Sequence, residues 1–174
     1  RTAAEAAASA EMKSKANSRT TSTTKRSPQP VLPTWARLGV AGVLALIGVA
    51  VASRWAWICD DAFISFRYAK HLVDGHGLVF NTGPGADVVE GYTNALWTVW
   101  IAVGMAVGAT PEQWSIVWGL AAYGALIFTL ARGAALPWLP LAAGLVVVSR
   151  PLQIWATGGL ETAADLALVV LGWH

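Results

Sequence analysis

Cysteine and charge are what this sequence is short of. A single cysteine, Cys59, excludes an internal disulfide, and no Cys/His spacing has the pattern of a zinc site. Charged residues are 13% of the 174 residues, against about 25% in a soluble domain. Hydrophobic residues reach 55% and the mean hydropathy is +0.51, which argues against a soluble globule. The few charges are unevenly placed. Residues 1–37 hold seven basic and two acidic residues, whereas residues 38–174 hold five basic and eight acidic ones. A basic end on a nearly charge-free body is the composition of a membrane protein whose basic end stays in the cytoplasm. The chain starts without Met and stops within an apolar stretch, which predicts a fragment of a longer protein.

Residues 1–34 are Ala, Ser, Thr, Lys, Arg and Pro with almost no large apolar side chain. Such a segment cannot offset the entropy of ordering its backbone, so a disordered tail is expected. Its cations (Lys13, Lys15, Arg19, Lys25 and Arg26) are read as fixing topology rather than as touching nucleic acid. The charged region is too long for a cleavable signal peptide. Residues 38–53 carry no charge. With Arg54 snorkelling outward, 35–58 reads as a first transmembrane helix, with Trp35 and Trp57 at the two interfaces.

Residues 59–94 form the predicted first external loop, where charges and turn residues return. Within it, Asp61 to Asp74 has helical periodicity. Ile64, Tyr68 and Leu72 fall on one face, and Asp60, Arg67 and Lys70/His71 near another. An amphipathic helix following a span is expected to lie in the interface plane, with Gly75 and Gly77 ending it. Three apolar stretches follow, at 95–109, 113–131 and 133–148. Thr110-Pro111-Glu112 opens the second as cap, proline and acid in order. Residues 149–161 read as a second polar external loop, and 162–174 as the start of a further transmembrane helix.

Two segments carry polar groups that a purely structural span does not need. Asp60-Asp61 either caps the following helix at the positive end of its dipole, or serves as a general base or cation site. In Ser149–Glu161, Arg150 has the position of an interfacial anchor and Gly158-Gly159 that of a turn.

The strings DDAFISFRYAKHLVDGHGLVFN (60–81), VEGYTNALW (89–97) and SRPLQIWATGGLET (149–162) resemble the GT-C fold membrane glycosyltransferases that use polyprenyl-phosphate sugars. Within them, the likeness is to the terminal arabinofuranosyltransferases of mycobacterial and corynebacterial cell walls. The resemblance implies an all-α integral membrane protein, a multi-spanning GT-C-like helical bundle with an interfacial amphipathic helix in its first external loop. It implies a plasma-membrane location, a cytoplasmic N-terminus and an extracytoplasmic active site. Its implied partners are a decaprenyl-phospho-arabinose-like donor, an arabinan glycan acceptor and membrane lipid, with no nucleic acid. By the same resemblance, one carboxylate of Asp60 and Asp61 takes the proton of the acceptor hydroxyl. Arg67 and Arg150 would meet the charge developing on the lipid phosphate, with Lys70 and His71 as helpers. Glu90, Tyr92, Thr93 and Asn94 would contact sugar hydroxyls, and Glu161 would be a second acid. No cofactor is implied, although Asp60 and Asp61 could hold a divalent cation. For Tyr92 and Trp97, interfacial anchoring is an equal reading.

Topology supplies a test. If Asp60 and Glu161 share a site, an even number of crossings separates them, yet three apolar stretches intervene. The stretch 95–109 is about 22 Å long as a helix, short of a ~30 Å core. It is therefore read as re-entrant or interfacial, with 113–131 passing inward, 133–148 passing outward, and Arg132 between them in the cytoplasm. The rival readings are a non-enzymatic membrane scaffold that kept the fold, and a transporter with Asp60/Asp61 as an ion site. A transporter would place such acids nearer the bilayer midplane.

Overall fold

The computed structural model describes Met12 and residues 33–86, 89–133 and 141–173. By backbone contacts the chain divides into Arg1–Pro30 and Val31–His174, and the architecture below is that of the second unit. The expected tail of residues 1–34 lies outside the described residues, apart from Met12, Pro33 and Thr34, as do residues 134–140 of the expected crossing 133–148.

Seven helices are bounded within the described residues: α1 Thr34–Ser53, α2 Asp60–Val73, α3 Ala95–Ala106, α4 Pro111–Gly133, α5 Leu141–Val148, α6 Arg150–Trp155 and α7 Thr162–Trp173. Two of them, α1 and α4, are long and apolar enough to cross a bilayer. At 1.5 Å per residue they run about 30 and 35 Å, whereas α3 reaches only about 18 Å. The first helix stops at Ser53, short of the expected residue 58, with Arg54 as its C-cap and the Ser53 hydroxyl bonded to Ala50 O. The segment 149–161, expected as a loop, contains the short helix α6, whose N-cap Ser149 and early Pro151 are favourable starts.

The local signals explain where these helices begin and end. Thr110 Oγ1 accepts from the Gln113 N–H, so the Thr-Pro-Glu start of α4 is capped as read from the sequence. At the end of α2, Gly75 adopts φ +83° and two wrapped bonds form, His76 N to His71 O and Gly75 N to Leu72 O. That is the Schellman pattern, which only a residue at ease in the left-handed region closes without strain.

The α1 and α4 helices pack antiparallel. Arg37, at the start of α1, donates to Arg132 O at the end of α4 (2.6 Å), and Gly48 lies beside Tyr123 and Ile127. Around this pair sits one buried cluster, with Ala41, Ala52, Tyr123, Ile127 and Ala143 at its centre, and Tyr123 Oη bonds Val146 O to hold α5. A second cluster joins α2 to α3 through Cys59, Ala62, Phe66, Ala69, Trp97 and Ile101.

The buried stripe of α2 differs from the one its large apolar residues suggested. Ala62, Ser65, Phe66, Tyr68 and Ala69 face inward, while Ile64 is 37% exposed. Small side chains let α3 approach closely, and the close approach decides which face is covered.

Where α4 meets the 150–161 segment, Gly119 has no room for a side chain. A Cβ there would overlap the carbonyl oxygen of Ala156, a backbone atom that cannot rotate away. Gly119→Ala is expected to destabilise by about 1–3 kcal/mol, the range for overpacking. Thermal unfolding in detergent measures this loss, and an unchanged midpoint would contradict the contact.

Candidate active site

The acidic pair opens α2. Its N-cap is Cys59, in extended geometry and with no side-chain cap bond, so Asp60 and Asp61 do not cap the helix as one reading held. They occupy its first turn, both exposed, where the helix dipole favours negative charge. The two carboxylates sit on different stripes. Asp61 is one turn before the buried Ser65, whereas Asp60 is one turn before the exposed Ile64.

The segment 158–161 is fastened to the same end of the bundle. Cys59 N–H donates to Gly158 O (3.0 Å), the Trp97 indole N–H donates to Gly159 O (2.9 Å), and the Trp57 indole N–H donates to Ile154 O (3.0 Å). Trp97 is only 8% exposed, so its ring is a structural strut and not an interfacial anchor. Gly159 has φ +88°, and a Cβ on it would come within 2.7 Å of Ala62 Cβ. Gly159→Ala combines left-handed strain with overlap against α2, and a loss of about 2–4 kcal/mol is expected. A denaturation midpoint equal to wild type would show that the segment can move away.

Beside this hub lies a hydrogen-bonded chain of side chains. Asn94 Nδ2 donates to Glu161 Oε2 at 2.7 Å, while Asn94 Oδ1 accepts from both Ser65 and Thr98 hydroxyls at 3.1 Å. Two donors on the amide oxygen fix the amide so that its NH₂ is presented to the carboxylate. Asn94 stands at the N-cap of α3 without capping it, its side chain turned instead to Glu161. Ser65 and Thr98 are 3% and 0% exposed, and sequence reasoning passed over both. Their only signal was a hydroxyl within an otherwise apolar face.

The other sequence candidates are held elsewhere. Tyr92 stacks edge-on against Tyr68, whose hydroxyl donates to Val89 O (2.5 Å) and accepts from Gly91 N–H (2.8 Å). The buried Tyr68 therefore shapes the loop that carries Glu90, Tyr92, Thr93 and Asn94; Glu90 and Thr93 are exposed. Arg67 Nε donates to Phe80 O (2.8 Å) with its guanidinium over the Phe80 ring, and His71 Nδ1 lies 2.7 Å from Val79 O. Lys70 pairs with Asp74 at 2.7 Å. That hydrogen bond holds the Asp74 carboxyl below its ordinary value, so the pair favours the fold above the unfolded pKa and releases it as pH falls through the lowered one. Both partners are solvent-exposed, and the pair fastens only weakly. Arg150 stacks its guanidinium 3.7 Å over the Trp55 ring. The structure thus brings Asn94 and Glu161 into one network and seats Arg67 and Arg150 on separate aromatic rings. Among the described residues no group of three or more His, Cys, Asp or Glu could hold a metal ion.

A cavity of about 800 Å³ opens between α3, α4 and α7, with Asn94 and Glu161 at its polar end and Trp100, Trp118 and Leu168 on its apolar wall. Over 148 residues the chain is 31% identical to a terminal beta-(1->2)-arabinofuranosyltransferase of Mycobacterium tuberculosis. The chain is similar to a mycobacterial arabinofuranosyltransferase. That alignment covers 75% of this chain, and the chain spans 23% of the arabinofuranosyltransferase's length. The resemblance read from the three strings and the alignment with the arabinofuranosyltransferase agree. No protein-family model matches the chain, and no solved structure matches it.

Proposed function

We propose that this chain is part of a multi-spanning GT-C membrane glycosyltransferase. It would transfer a pentose, arabinofuranose, from a decaprenyl-phosphate donor to an arabinan acceptor on the outer face of the plasma membrane. The acceptor hydroxyl oxygen attacks C1 of the pentose and the C1–O bond to phosphate breaks. The lipid phosphate leaves with the electron pair, and the hydroxyl proton passes to an Asp of the first external loop. The observation that carries this reading is the similarity to an arabinofuranosyltransferase over three quarters of the chain.

The geometry supports it in two further respects. An exposed carboxylate pair at a helix N-terminus is reachable by a glycan, and Glu161 with its bonded Asn94 offers acceptors and donors for sugar hydroxyls. The antiparallel α1 and α4 place the basic Arg37 and Arg132 together at one end, as expected of the cytoplasmic side. Arg67 and Arg150 are the proposed partners of the leaving phosphate, and each guanidinium stacked on a ring still has N–H donors at its edge.

The test uses the full-length protein in nanodiscs with synthetic decaprenyl-phospho-arabinofuranose and an arabinan oligosaccharide, followed by mass spectrometry. Acceptor lengthened by one pentose supports the proposal. Transfer only from another polyprenyl-phosphate sugar would change the substrate, and no transfer from any would remove the activity.

A further inference from the structure

The loop that leads into α3 is gripped by one buried side chain. Among the described residues, Val89, Glu90, Gly91 and Tyr92 make no backbone–backbone hydrogen bond, so neither helix nor strand fixes them. The Tyr68 hydroxyl does. It donates to Val89 O at 2.5 Å and accepts from Gly91 N–H at 2.8 Å, so one oxygen holds the peptide groups on both sides of Glu90. Tyr68 is fully enclosed, and its ring packs on those of Phe80 and Tyr92 with centroids 5.6 and 4.8 Å away. Gly91 lets the grip close, since a Cβ there would stand 3.2 Å from the hydroxyl oxygen. Glu90 is left exposed, a short way before Asn94 and its bond to Glu161.

We infer that Tyr68 is a positioning residue for the glycan acceptor: by gripping the peptides on both sides of Glu90, it presents that carboxylate to the acceptor's hydroxyls. The inference rests on the transfer reaction proposed above and adds to it a residue that touches neither substrate. A carboxylate accepts from hydroxyls and repels a phosphate, so of the two substrates Glu90 suits the glycan and opposes the lipid-phosphate end of the donor. Ordering a loop at the moment of binding costs conformational entropy, and a loop already fixed in the fold does not incur that cost again. The grip therefore acts on affinity for the acceptor and leaves the chemical step alone.

The experiment uses the full-length protein in nanodiscs with the decaprenyl-phospho-arabinofuranose donor and the arabinan oligosaccharide. Tyr68→Phe keeps the ring packed and removes only the hydroxyl. The acceptor KM is expected to rise about tenfold while kcat and the donor KM stay within about twofold, the pattern of lost uniform binding. Glu90→Ala should raise the acceptor KM comparably, and the double variant should be no worse than Glu90→Ala alone, since both act through one carboxylate. Gly91→Ala, which crowds the grip from the loop side, is the second variant should Tyr68→Phe misfold, with circular dichroism confirming the helices. Binding of the oligosaccharide alone, followed by saturation-transfer NMR, separates the grip from the reaction. A wild type that binds but does not transfer would overturn the reaction, and the grip would then stand if Tyr68→Phe binds correspondingly more weakly and fall if it binds equally. No binding by wild type, an additive double variant, an unchanged acceptor KM in a folded variant, or a loss confined to kcat or the donor KM would each overturn the inference.

Discussion

Replacing Asp61 with Asn is expected to reduce glycosyl transfer by about 10²–10⁴-fold, the range a positioned general base contributes. Asp60→Asn should cost far less. Both residues occupy the first turn of α2, both are exposed, and the sequence offers no ground for choosing between them. The helix does. Four residues on from Asp61 is Ser65, which is buried and bonded to Asn94, itself bonded to Glu161. Four residues on from Asp60 is Ile64, on the exposed side, and seven on is Arg67, tied to Phe80. The stripe of Asp61 is the one that continues into the polar network. Neither substitution should disturb folding, since an exposed first-turn acid interacting with the dipole contributes only about 0.3–1 kcal/mol. Initial rates with saturating donor, compared between the two variants and wild type, decide the matter. A larger loss for Asp60→Asn would reverse the assignment, and undiminished transfer by both would remove the pair from the mechanism.

Asn94→Leu is the second large effect expected, and it should appear in stability as well as in transfer. The substitution keeps the side-chain branching and number of heavy atoms but removes an amide that serves three partners. Ser65 and Thr98 lose their acceptor while fully enclosed, and the half-buried Glu161 loses its donor. Buried polar groups left unpaired cost about 1–3 kcal/mol each. Helical hydroxyls can turn back to a carbonyl of the preceding turn and recover part of this, so a total of about 2–4 kcal/mol is expected. Thr98→Val, which removes one hydroxyl but leaves Ser65 to orient the amide, should be much milder. Thermal midpoints for the two variants, read alongside transfer rates, distinguish the network from a chance proximity. Equal midpoints for Asn94→Leu and wild type would sink it.

The parts of this protein legible in its sequence are those governed by local rules. An uncharged run of apolar residues specifies α1, because a helix satisfies its backbone hydrogen bonds within the segment itself. Thr110-Pro111 specifies where α4 begins, and Gly75 where α2 ends, because cap and left-handed conformations depend on one or two residues. The acidic pair, Asn94 and Glu161 were also visible as polar residues in an apolar chain, and the three motif strings pointed to the same glycosyltransferases as the alignment.

Tertiary structure decided the rest. Periodicity put Ile64, Tyr68 and Leu72 on one face of α2, but close packing against α3 selects by size, and Ala62, Ser65 and Ala69 won the interface. Arg67, with Lys70 and His71 as helpers, was expected to meet a phosphate; in the fold Arg67 and His71 are bonded to the carbonyls of Phe80 and Val79, and Lys70 to Asp74 one turn along its own helix. Ser65 and Thr98 carried no message as letters, since a hydroxyl on a helix usually means only a bond to its own backbone. They matter because a distant turn, held by Gly158 and Gly159, brings Glu161 to the one amide they orient. Local conformation is set by neighbours in the chain, and so it can be read there. Which stripe of α2 is covered by α3 depends on residues far apart in the chain, and that is settled only when the surfaces meet.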